Sequence, residues 1–144
     1  MVMNNSIVKR HAKIVCILGP ASNSAEIIEG MLKGGMDVAR FNLAHGTFEE
    51  HSGRISQVRL LSQKLNRSTG ILLDLPGLKR RSGNVKAVFG QDLEFALSQH
   101  ADFVALSFVS SARQVKEVKQ LLKEMNADTP VIVKIEDARA LEES

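Results

Sequence analysis

The sequence predicts an α/β fold of parallel βα units, forming an incomplete (β/α)8, TIM-type barrel of about five strands. Three observations carry that expectation. Apolar runs of strand length recur along the chain, amphipathic helical stripes separate them, and a polar residue stands late in most runs. Nearly uninterrupted Val, Ile and Leu suit strands covered on both faces, and strands alternating with helices argue for a parallel sheet. A full barrel takes about 250 residues, so the 144 present supply a little over half of its units. One truncated barrel domain over 1–144 is expected, with residues 1–12, polar and unpatterned, as a frayed start.

The elements follow in order. Lys13–Leu18 is an apolar run closed by Gly19-Pro20. Asn23-x-x-Glu26 has the form of a capping box, Ile27, Ile28, Met31 and Leu32 make one helical stripe, and Gly34-Gly35 stops that helix. Asp37–Thr47 (DVARFNLAHGT) is the stretch around which the chain is organised: a short strand that ends in Arg40 and Asn42, then a His45-Gly46 loop. Thr47-x-x-Glu50 is a second capping box, opening a helix marked by Ile55, Val58, Leu61 and Leu65. Gly70–Leu75 is the third strand, with Asp74 late in it, and Pro76-Gly77 turns the chain into a basic segment through Asn84. A short helix around Asp92–Ser98 precedes the fourth strand, Asp102–Val109, which carries Ser107. Ser111-x-x-Gln114 caps a helix with Val115, Val118, Leu121, Leu122 and Met125 along one side. Val131–Glu136 is the fifth strand, and Asp137–Glu143 begins another helix.

Composition excludes several classes. With 44% apolar and 24% charged residues the chain reads as an ordinary globular protein. A net charge of +3 is mildly basic, but Trp and Tyr are absent and only six Phe are present, so a base-stacking nucleic-acid platform is not expected. No apolar run reaches the roughly 18 residues of a membrane span, and no signal-peptide core is visible. The single Cys16, inside an apolar run, reads as a plain buried thiol. One cysteine suits a reducing compartment, and a cytoplasmic location is the expectation.

Alternate residues of a strand share a face. Arg40 with Asn42, and Lys134 with Glu136, are therefore paired on a face, and in parallel strands they converge with Asp74 and Ser107 on one mouth. Two cations, two carboxylates, an amide and a hydroxyl suit a phosphorylated acid held with a divalent metal. The bland alternative is a set of solvated strand ends or structural ion pairs, with Lys134 and Glu136 pairing with Arg40 and Asp74. The residues alone give an anion-binding α/β domain with no named substrate.

KIVCILGPAS (Lys13–Ser22), GMDVARFNLAHGTFEEH (Gly35–His51), ILLDLPGLKRRSG (Ile71–Gly83), DFVALSFV (Asp102–Val109) and VIVKIED (Val131–Asp137) resemble the pyruvate kinase family, in that family's order. The resemblance implies the first part of a (β/α)8 barrel and phosphoryl transfer between phosphoenolpyruvate and ADP, giving pyruvate and ATP. It implies catalytic roles for Arg40, on the transferred phosphoryl group, and for Lys134, which stabilises the transition state and enolate. Ser107 would join them in binding substrate. Pro20, Asn42, His45 and Arg81 match positions near the nucleotide. Glu136 matches a ligand of Mg²⁺ (or Mn²⁺), and Asn42 and Asp74 match the monovalent-cation site.

The departures carry their own expectations. Ala44 stands where the family usually has a K⁺-ligating serine, Ile17 and Leu75 where it has threonines, and Lys79 where K⁺-dependent members carry glutamate. Lys79 supplies the charge that K⁺ otherwise brings, so K⁺ is not expected to be required. Ser110 replaces a frequent arginine and Arg139-Ala140 a Glu-Gly pair. Where the family inserts a lid domain, only Asn84–Phe89 bridges to the next helix. The sequence also stops before the second metal carboxylate and the later strands, so a homo-oligomer or a second chain is expected to complete the barrel. Two alternatives stay open beside the phosphotransferase: a catalytically inactive phosphometabolite-binding module, and a structural half-barrel. A metal-dependent lyase or aldolase is a further reading that the KIED and RFNLAHG segments disfavour.

Overall fold

In the computed structural model the described residues are 11–77 and 84–136. They form one sheet of five strands in the order β1-β2-β3-β4-β5, each hydrogen-bonded to its neighbour in sequence and all parallel. The strands are β1 (Val15–Ile17), β2 (Val38–Asn42), β3 (Gly70–Leu75), β4 (Phe103–Leu106) and β5 (Val131–Val133). The helices are α1 (Ala25–Gly34), α2 (Phe48–Lys64), α3 (Val85–Ser98) and α4 (Ala112–Glu124), with one turn of 3₁₀ helix at Pro20–Ser22. Strictly sequential order separates this sheet from doubly wound folds, whose strand order reverses. It is the winding of a partial α/β barrel.

Register explains which residues are core. Ala39, Phe41, Ile71, Leu73, Leu75, Val104 and Leu106 occupy one face of the sheet, and all are buried. They join Ile28, Leu32, Ile55, Val58, Leu93, Val118 and Leu122 of the helices in one continuous core. The opposite face carries Val15, Ile17, Arg40, Asn42, Leu72, Asp74, Ala105 and Ile132. Its centre is covered, with Leu72 at 5% and Ala105 at 2% exposure, but its flanks are open, with Val15 at 51% and Ile17 at 57%. The first apolar run is thus not covered on both faces as expected. β1 is an edge strand among the described residues, and the exposure of Val15 and Ile17 shows that its second face is uncovered there. Cys16, on the helix side, is half-buried against the core.

Local chemistry sets the element ends. Ser24, not Asn23, is the N-cap of α1, its side chain accepting from the Ile27 amide, so Glu26 lies in the first turn instead of closing a capping box with Asn23. Gly35 ends α1 at φ +106°, a left-handed conformation that favours glycine. Thr47 and Glu50 form the expected capping box of α2. The helix expected at Asp92–Ser98 begins two turns earlier, at Val85, because Asn84 accepts from the Ala87 amide and caps it. Asn84–Phe89 is therefore no bridge but the cap and first turns of α3, with Val85, Val88 and Phe89 buried. Ser111 is the N-cap of α4 without a side-chain bond. Gln114 instead accepts from the Ser110 amide at 2.9 Å. The regular pairing of β5 stops at Val133, although the Lys134 amide still donates to Leu106 O at 3.0 Å.

Candidate active site

The site lies where β2, β3, β4 and β5 end. Asn42 is in register with Asp74, and Asp74 with Ala105, two residues before Ser107. Ala105 pairs with Ile132, two residues before Lys134. Parallel pairing therefore brings Arg40, Asn42, Asp74, Ser107, Lys134 and Glu136 to one face and one end, as the spacing predicted.

Asp74 sits at the centre, with 1% of its side chain exposed. Arg40 Nε donates to its Oδ2 at 2.9 Å, and Arg40 Nη2 donates to the same oxygen. Lys134 Nζ also reaches Oδ2, at 2.9 Å, while Ser107 Oγ donates to Oδ1 at 3.1 Å. One carboxylate of β3 thus ties residues that follow or belong to β2, β4 and β5. Burying such a group is tolerable only because it is paired; removing one partner of a buried pair costs about 3–5 kcal/mol. Lys134 approaches Glu136 as well, at 3.6 Å. Glu136 Oε2 accepts from the Phe108 amide at 3.0 Å.

Above Asp74 opens a cleft of about 220 Å³, bordered by Arg40, Asn42, His45, Ser107, Lys134 and Glu136, with Ala44, Pro76, Gly77 and Phe108 between them. Arg40 and Lys134 keep about a quarter of their side chains exposed (27% and 24%), so both cations face the cleft while resting on Asp74. His45 is held by its backbone. The buried His51 ring places Nε2 at 2.8 Å from His45 O, and the His45 amide donates to Asn42 O at 3.3 Å. Gly46 turns this loop at φ +80°, where a Cβ would stand 2.8 Å from Glu50 Oε2.

Not every expected residue joins the cleft. Pro20 lies in the 3₁₀ turn and does not border it. Lys79 and Arg81, with Arg80, fall outside the described residues, as do Arg139 and Ala140. Asn42 Oδ1 accepts from the Ala44 amide at 3.0 Å, and Asp74 is occupied by Arg40, Lys134 and Ser107. Asn42 and Asp74 are neighbours, but their oxygens are engaged within the protein. Among the described residues no three or more His, Cys, Asp or Glu side chains gather as a metal site. Glu136, 38% exposed, borders the cleft, with Oε1 3.6 Å from Lys134 Nζ and Oε2 accepting from the Phe108 amide. One carboxylate does not make a Mg²⁺ site by itself.

Three contributors were not visible beforehand. Phe108 holds a left-handed backbone at φ +53° and directs its amide to Glu136. Such a conformation in a bulky residue is strained and gathers at functional sites. Gly77, read from sequence only as a turn residue, packs against the Ser107 carbonyl so closely that a Cβ would stand 2.5 Å from it. His51 braces the His45 loop, and only its place one turn after Thr47 hinted at that.

A family profile described as "Pyruvate kinase, barrel domain" matches residues 9–91 and 88–143. The pyruvate kinase of Thermococcus litoralis is 53% identical over 74 residues, 51% of this chain and 16% of that protein. Those of Staphylococcus epidermidis and Staphylococcus aureus are 47% and 48% identical over 77 residues, 54% of this chain and 13% of each relative. These alignments take in a small part of the relatives' length, whereas the profile covers nearly all of this chain. The residues that border the cleft all fall within the ranges that the profile matches, and the chain belongs to the pyruvate kinase family, of whose barrel domain it is a part.

Proposed function

We propose that this chain supplies the phosphoryl- and enolate-facing half of a phosphotransferase site for phosphoenolpyruvate and ADP, completed by further barrel strands. The carrying observation is the seating of Arg40 and Lys134 side by side on buried Asp74, with their outer faces in the cleft. In such a site the Arg40 guanidinium holds the transferring phosphoryl oxygens. As the bond from phosphorus to the C2 oxygen breaks, the Lys134 ammonium, held by Asp74 and Glu136, neutralises the enolate oxygen left behind. The phosphoryl group passes to the terminal phosphate oxygen of ADP, and the enolate takes a proton at C3 to give pyruvate. Ser107 Oγ borders the substrate and His45 the nucleotide in this reading, in which the family resemblance also assigns Pro20 and Arg81 to nucleotide binding.

A divalent Mg²⁺ or Mn²⁺ ion would neutralise the substrate's carboxylate and phosphoryl charge, with Glu136 as one ligand and the remainder from outside the described residues. K⁺ is not required in this reading, since the oxygens of Asn42 and Asp74 are engaged by Ala44, Arg40, Lys134 and Ser107. In this reading further strands would pair with the outer edges of β1 and β5, which have no strand partner among the described residues, and a second copy or a second chain is proposed to bring them. No helix of the described residues is long and apolar enough to cross a membrane, and we place the protein in the cytoplasm on the strength of its single cysteine.

A second reading is a module that binds the phosphorylated acid without turnover. That Glu136 is the one carboxylate bordering the cleft among the described residues favours it for this chain acting without a partner. Calorimetric titration of phosphoenolpyruvate with Mg²⁺ tests both, beside Arg40→Ala and Lys134→Ala. Saturable binding lost in both variants supports the half-site, and no saturable binding by the parent chain overturns it. ADP-dependent pyruvate release then separates turnover from binding alone.

A further inference from the structure

Four hydrogen bonds converge on Asp74, three on Oδ2 and one on Oδ1. The donors come from three other strands: Arg40 within β2, Ser107 just past β4 and Lys134 just past β5. The carboxylate is 1% exposed and Leu72 of the same strand face is 5% exposed, so its surroundings are closed to solvent on the sheet side. Oδ2 already accepts from both cations, so a monovalent cation at that oxygen would have to displace a guanidinium or an ammonium, and the neighbouring Asn42 oxygen accepts from the Ala44 amide.

We infer that Asp74 is the positioning residue of this site: it fixes Arg40 and Lys134 at a set separation and aims their remaining donors into the cleft, and it is not a ligand of a monovalent cation. The consequence for phosphoenolpyruvate rests on the proposed function, while the ion pairing does not. Two long basic side chains that end near each other repel and sample many rotamers. A shared buried carboxylate removes both problems before ligand arrives, which is preorganisation in the sense that matters for phosphoryl transfer. Glu136 gives Lys134 a second, longer contact at 3.6 Å, but it is 38% exposed and cannot reach Arg40's role as a shared partner.

Electrostatics alone and positioning predict opposite effects of Asp74→Asn. Removing a negative charge beside two cations should tighten binding of an anion. Losing the shared anchor should weaken it. We expect phosphoenolpyruvate affinity to fall about tenfold or more, the size of a lost charged hydrogen bond. Equal or tighter binding by a folded variant would overturn the positioning role.

The pairing itself is read without any ligand. In the ¹³C,¹⁵N-labelled parent chain the Lys134 ammonium, assigned by its loss in Lys134→Met, should give a resolved, slowly exchanging proton signal, with scalar coupling from its nitrogen to the Asp74 carboxylate carbon. That coupling should persist when tetramethylammonium chloride is exchanged for potassium chloride at equal ionic strength. A coupling that disappears on adding potassium would show that K⁺ displaces the ammonium, and would sink the inference even if Asp74→Asn fails to fold. If the parent chain binds no phosphoenolpyruvate yet keeps the coupling, the functional reading fails and the pairing of Lys134 stands.

Discussion

Gly77→Ala is the substitution whose cost follows most directly from the structure. An added Cβ would stand 2.5 Å from Ser107 O, 2.9 Å from Ser107 C and 2.8 Å from Phe108 Cδ2. Two of those atoms are backbone, so no rotamer change relieves the clash and the end of β4 must move. That segment also holds the bonds from Ser107 Oγ to Asp74 and from the Phe108 amide to Glu136. Overpacking of this kind costs about 1–3 kcal/mol, and a weakened buried hydrogen bond adds about 1 kcal/mol. The sum is about 2–4 kcal/mol, which lowers Tm by about 5–15 °C for a domain of this size. The control is Gly30→Ala, inside α1, where a Cβ meets nothing within 4 Å. There the same methyl should stabilise by about 0.5–1 kcal/mol through helix propensity. Urea and thermal melts followed by circular dichroism compare the two. A Gly77→Ala protein as stable as the parent would refute the claim that Gly77 is required for close approach of the two strand ends.

Two further outcomes follow from the packing and the caps. Phe41→Ala empties a fully buried position on the helix-facing side of β2, where the ring also meets His51 edge-on at 6.2 Å, and should cost about 3–5 kcal/mol in urea unfolding. Thr47→Ala removes the side chain that accepts from the Glu50 amide at 3.2 Å; stability should drop by about 1 kcal/mol, and hydrogen exchange should speed up first at Glu49–His51.

Much of the site could be read from sequence because a strand's geometry is periodic. Arg40 and Asn42 had to share a face whatever their neighbours did, and parallel pairing then carried Asp74 and Ser107 to the same end. Lys134 and Glu136 followed the same rule, even though regular β5 pairing ends just before them. The Thr47–Glu50 capping box was legible for the same reason, since it is complete within four residues. Where local signals competed, sequence was a poorer guide. Asn23 and Ser24 are both good N-caps, and the backbone bond from the Ile28 amide to Ser24 O accompanies the choice of Ser24. The start of α3 was missed because Val85, Val88 and Phe89 reveal their helical stripe only once they have a core to bury into.

The sequence by itself determined the family, the order of the βα units and the identity of the residues at the strand ends. These depend on side-chain chemistry and on repeats of two and of 3.6 residues, which a linear chain displays. Only the tertiary structure decided who bonds to whom among them. Asp74 could have faced a metal, solvent or a single cation, and the register of four strands instead puts Arg40, Ser107 and Lys134 within reach of its two oxygens. The close approach of Gly77 to Ser107 and the bond from the Phe108 amide to Glu136 are likewise contacts between segments about 30 residues apart, and no local pattern encodes such a distance.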